Sequence, residues 1–143
     1  MSDKEEQIKS QQVAEANNEP EEQITPQMAE DFIKESALAM LRENFPDIDD
    51  VVKSCKENFG EVYLYAFDED EFCIYRPIKR AEYARIVATA ASDIEIEDNI
   101  VKNCVVYSSF EISEDTKAGK ISIIAGLVQY ASNFGSNNPV VRL

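Results

Sequence analysis

Three cysteines, no histidine and 28 acidic side chains are what this chain offers for chemistry. Cys55, Cys73 and Cys104 are widely separated, and each stands among apolar neighbours. An odd number leaves one thiol over in any disulfide framework, and a metal site would need a CxxC pair or a histidine that the chain lacks. They read as buried small hydrophobes. The acids gather at Asp47, Asp49 and Asp50 and again at Asp68-Glu69-Asp70-Glu71. The first group lacks the glycine and the distal glutamate of a calcium loop and reads as helix capping. The second reads as a solvated turn that blocks aggregation. Gly60, Gly119, Gly126 and Gly135 are too scattered to cradle a phosphate. No GxSxG, GxxxxGK(S/T) or GxGxxG run occurs. General acid/base work would fall to carboxylates that sit on turns and helix starts, where solvation and the helix dipole already explain them. The expectation is a protein that holds something rather than converts it, with no enzymatic activity, cofactor or metal.

Charge narrows what it can hold. Asp and Glu number 28 against 14 Lys and Arg, a net charge of −14. Such a surface repels phosphate backbones and anionic lipids, and no basic stripe offsets it, so neither nucleic acid nor membrane is expected as a partner. No apolar run approaches the length of a membrane span. The acidic start Met1-Ser2-Asp3-Lys4-Glu5-Glu6 is the opposite of a secretory leader, which points to a reducing cytoplasm.

The elements that would position any site follow from periodicity. Residues 1–24 carry few large apolar side chains and read as a disordered acidic tail. Thr25-Pro26 opens a helix, with threonine as N-cap, Glu30 and Asp31 in its first turn, and Phe32, Leu38, Leu41 and Phe45 near helical spacing. Pro46 ends it. Asp47 or Asp49 caps a second helix that Gly60 stops. From 61 to 77 the period changes to two. Val62, Leu64 and Ala66 alternate with Tyr63, Tyr65 and Phe67, and Phe72, Ile74 and Arg76 alternate with Cys73 and Tyr75. That is a β-hairpin with apolar bulk on both faces, ended by Pro77.

Three more helices are expected beyond it. One runs from Lys79 to Ser92 with Tyr83, Ile86, Val87 and Ala90 on one face. One starts near Asp98 and places Ile100, Val101, Cys104 and Val105 together. The last runs from Asp115 to Asn133 with Ile121, Ile124, Ala125 and Val128 inward, and Gly135 follows as a stop. Residues 136–143 form a short tail, either folded back on the core or offered to a partner. The fold expected is α+β and mostly helical: about five helices around one β-hairpin, in a single domain over 25–135.

The run Tyr75-Arg76-Pro77-Ile78-Lys79-Arg80-Ala81-Glu82-Tyr83 carries a resemblance. With Gly60-Glu61-Val62-Tyr63 before it and Cys104-Val105-Val106-Tyr107 after it, the order resembles the small tail assembly chaperones of tailed bacteriophages. The segment Gly119 to Phe134 is similar to the closing helix of such proteins, and Ser108 departs from the proline expected there. The resemblance spans about residues 55 to 135. It implies binding of a tape-measure or tube protein, or another virion protein, in the host cytoplasm before assembly, without a cofactor. Other readings are a structural virion component and an acidic inhibitor that imitates nucleic acid. Tyr63, Tyr65, Tyr75, Arg76, Arg80 and Tyr83 are the candidate partner-binding residues, because tyrosine and arginine dominate binding hot spots. Their simpler roles are to close the core and to hold the strand-to-helix junction, with Arg76 or Arg80 paired to Glu82.

Overall fold

The structure is a computed structural model that describes residues 25–132 and 141–143. The acidic segment 1–24, the expected helix end at Asn133, Phe134 and Gly135, and tail residues 136–140 lie outside the described residues. Among the described residues there are five helices and a four-stranded antiparallel sheet, an α+β and mostly helical fold. The described residues divide between two units, one ending at Phe32 and one starting at Ile33.

The described part of the first unit is the start of helix α1 (Pro26–Arg42). Thr25 caps it as expected: its Oγ1 accepts from the Met28 amide at 3.1 Å, which satisfies one of the orphan donors of the first turn. Glu30 and Asp31 come too late to lie in that first turn. Phe32 is 73% exposed.

In the second unit the chain runs through α2 (Ile48–Phe59), β1 (Tyr63–Ala66), β2 (Phe72–Tyr75), α3 (Arg80–Thr89), α4 (Asp93–Cys104), β3 (Val105–Ser108), α5 (Ala118–Ala131) and β4 (Val141–Arg142). The sheet order is β3-β2-β1-β4. The hairpin pairs Tyr63 with Tyr75, Leu64 with Ile74, Tyr65 with Cys73 and Ala66 with Phe72. Its turn is closed by Asp68, whose Oδ1 accepts from the amides of Asp70 and Glu71 at 2.7 and 2.8 Å, so an aspartate does the work a glycine would do in a tighter turn. Gly60 ends α2 with φ at 79°, a conformation that costs a side-chain-bearing residue dearly.

The period-two alternation explains why both sheet faces are covered. Val62, Leu64, Phe72 and Ile74 face Leu38, Leu41, Ile48 and Cys55 of α1 and α2, and Phe45 packs edge-on against Phe72 at 5.0 Å. Tyr63, Cys73 and Tyr75 face Ile86, Ile100, Cys104 and Ile124 of α3, α4 and α5. Each fully buried aromatic or branched aliphatic side chain contributes about 1.5–3 kcal/mol relative to exposure.

Four expectations are corrected. Helix α4 begins at Asp93, because Ser92 Oγ accepts from the Glu95 amide at 3.2 Å and caps it there. Val105 leaves that helix: Val105–Ser108 is a strand paired with β2, with a register shift at Ile74/Tyr75, so the hairpin is the middle of a wider sheet. Helix α5 is shorter than 115–133, and α3 leaves Val87 exposed. For the tail, where two alternatives stood open, the described end takes the first: it folds back as β4 along β1, with the Leu143 amide donating to Val62 O at 3.0 Å.

Candidate functional site

The aromatic candidates gather on one face of the sheet. Tyr63 and Tyr75 are buried and stack at 5.7 Å, and Tyr65 and Tyr83 pack, partly buried, against the same cluster. The Tyr75 hydroxyl has no hydrogen-bond partner among the described residues, and burial raises its pKa, helped by the neighbouring Cys73. Tyr75 and Tyr63 therefore offer no surface to a partner in this structure.

Arg76 sits at a junction of three elements. Its guanidinium grips Glu82 in two parallel bonds of 3.0 and 2.9 Å. It also donates to Pro77 O and Asn103 O, both at 3.0 Å, and its amide donates to Cys104 O at 2.9 Å. Glu82 in turn accepts from the Lys79 amide at 3.0 Å, which orders the first turn of α3. The two side chains are only 22% and 23% exposed. The Arg76 guanidinium holds the Glu82 carboxyl down at about 2. This is a planar, bidentate pairing that lysine could not reproduce. Arg80 lies exposed at the start of α3.

The thiols are equally committed to structure. Burial pushes Cys73 up to about 12 and Cys104 up to about 11, far from the thiolate that nucleophilic chemistry requires. Among the described residues no group of three or more His, Cys, Asp or Glu is placed to hold a metal ion. Lys120 forms a second tie, between the hairpin turn and α5. Its ammonium pairs with Glu71 and lies 5.2 and 5.0 Å from the ring centres of Phe67 and Phe110.

A different arrangement appears between α4 and the loop that leads into α5. A cavity of about 410 Å³ opens there. Its floor is apolar, made by Val101 and Ile121, both buried, and by Ile112. Ile94 stands at its lip, 72% exposed. Glu97, Asp98 and Glu114 line it together with one cation, Lys102. The loop wall is ordered by its own polar bonds: the Ser113 amide donates to Thr116 Oγ1 at 2.9 Å, and the Thr116 amide to Ser113 O at 3.1 Å. Ser122 Oγ donates to Glu97 Oε1 at 2.8 Å and steadies that carboxylate. None of the sequence-predicted candidates lies here. The signal that finds it is the Ser92-x-x-Glu95 cap, which places Ile94, Glu97, Asp98 and Val101 on one face of a helix.

No protein-family model matches the chain, and no curated protein or solved structure does either. Among the described residues no helix is long and apolar enough to cross a membrane.

Proposed function

We propose that the protein is a non-enzymatic assembly factor of a tailed bacteriophage, a tail assembly chaperone that holds a tape-measure or tube protein in the host cytoplasm before it polymerises. The observation that carries the reading is the apolar floor of the α4 cavity, with Ile94 left 72% exposed at its lip. A domain this small has little apolar area to spare, so apolar surface left open at a walled cavity points to a partner. The resemblance of the run 75–83 adds the kind of partner. The net charge of −14 suits the role, since copies that repel one another stay dispersed while each holds a sticky segment.

The mechanism is mass action. A holder that binds only the unassembled partner stabilises it by roughly 2.7 kcal/mol at a hundred times the dissociation constant, and polymerisation then displaces it. Mass spectrometry of purified virions, beside an affinity pull-down from infected cells, tests this. The expected result is absence from the particle and recovery of a tail protein. A virion peak at fixed copy number overturns it in favour of a structural virion component.

A further inference from the structure

The lining of the α4 cavity specifies its occupant more closely than the word partner does. The face of α4 that borders it runs from Ile94 to Val101, two helical turns, or roughly 10 Å along the axis. Apolar side chains on a facing helix at i and i+7 span the same length. Around this floor stand three carboxylates, Glu97, Asp98 and Glu114, against the single ammonium of Lys102. The charge of the rim is thus net negative by two. Glu97 and Asp98 are partly buried, so their attraction for a cation is less screened by salt than that of a free surface acid.

We propose that this cavity docks a cationic amphipathic helix of the partner, with its apolar stripe on Ile94 and Ile112, which are accessible above the buried Val101 and Ile121, and its lysines or arginines on Glu97, Asp98 and Glu114. The proposal rests on the partner-holding reading and adds the chemistry of the held segment. Apolar contact supplies affinity, and the carboxylates supply register and on-rate, the usual division between the core and the rim of an interface. An acidic helix would meet a rim that is already net negative by two and would be rejected, and a neutral apolar helix would gain nothing from it.

The test is fluorescence anisotropy with a labelled amphipathic leucine/lysine peptide, and with its leucine/glutamate counterpart as control. The full-length protein should bind the first and not the second. The triple variant Glu97→Gln/Asp98→Asn/Glu114→Gln should weaken binding about tenfold at low salt, a gap that narrows at high salt. A charge-matched control, Glu43→Gln/Asp47→Asn/Glu57→Gln, removes three exposed acids elsewhere and should cost less than about threefold. Ile94→Asp should also weaken binding, although it adds attraction for a cation, and so isolates the apolar contribution. Thermal melts of all variants check folding. Equal losses from the two triple variants, or no loss from Ile94→Asp, overturn the proposal. Pull-downs from infected cells separate this failure from that of the parent reading. A tail protein recovered equally by wild type and cavity variants removes the cavity and keeps the chaperone. No tail protein recovered by wild type removes the chaperone, whatever the peptide does.

Discussion

Two regions of this molecule use charge in opposite ways. At the Arg76 junction one guanidinium and one carboxylate are largely enclosed and grip each other in a bidentate pair, and both make further bonds to backbone groups. At the α4 cavity three carboxylates and one ammonium border an apolar floor, with Ile94 exposed at the lip. The first arrangement has spent its bonding capacity on holding β2, α3 and α4 together. The second retains capacity for something that arrives from outside. Nothing about the residue types separates the two regions, since both are built from acids and bases beside apolar neighbours. What separates them is whether each charged group already has its complement within the chain.

Breaking the junction gives the largest effect. Arg76→Ala leaves the largely enclosed Glu82 carboxylate without its cation and removes the bond to Asn103 O, and should cost about 3 kcal/mol in urea unfolding. A loss below about 1 kcal/mol would show that the pair contributes no more than an ordinary surface ion pair.

Acid sharpens the same contrast. The Glu82 carboxyl is held at about 2, below its ordinary 4.5, first by the Arg76 hydrogen bonds. A depressed carboxyl contributes stability that is present above 4.5 and is lost as the pH falls from 4.5 towards 2. Wild type should lose about 2 kcal/mol across that window through this group, after discounting for its partial exposure. Glu82→Gln should flatten that part of the profile, and an unchanged slope in equilibrium unfolding at stepped pH would refute the assignment.

Tyr75 lies between the two cases, a polar group that is enclosed but unmatched among the described residues. Tyr75→Phe keeps the ring stack on Tyr63 and removes the hydroxyl. It should leave stability unchanged or raise it by about 1 kcal/mol. Destabilisation by more than that would reveal a partner for the hydroxyl beyond those residues.

The smallest effect belongs to the cavity. Neutralising Glu97, Asp98 and Glu114 together should move the unfolding free energy by less than about 0.5 kcal/mol, because none of them completes a tie comparable to that of Glu82. A larger loss would mean that the rim is structural.

Much of the frame was legible before any coordinates. The period-two alternation at Val62 to Phe67 placed both faces of β1, and the observed clusters divide along it. Thr25 and Gly60 marked helix ends by local chemistry, and the apolar surroundings of the three cysteines announced their burial. Phe32 and Val87 followed helical spacing yet stay exposed, since periodicity names a stripe without saying how far along a helix the core reaches. The cap at Ser92 is also present in the residues, but Asp98 is an equally good capping residue by type, and only the Ser92 bond to the Glu95 amide places the helix start, and with it the face that carries Ile94.

What the amino-acid sequence determined by itself is therefore local: the hairpin, the helix ends, the apolar stripes and the strongly negative charge. These depend on interactions within a few residues or on simple sums, and they need no knowledge of distant partners. Only the tertiary structure decided that Val105–Ser108 is a strand, because the Cys104-Val105-Val106-Tyr107 run suits a helix end or a strand alike until β2 offers it a ladder. It also decided that Arg76 is matched by Glu82 and Asn103 O, and that Glu114 meets Glu97 and Asp98 around one apolar floor. Pairing and concavity are properties of residues far apart in the chain, and only the closure of the intervening loops brings them within reach of each other.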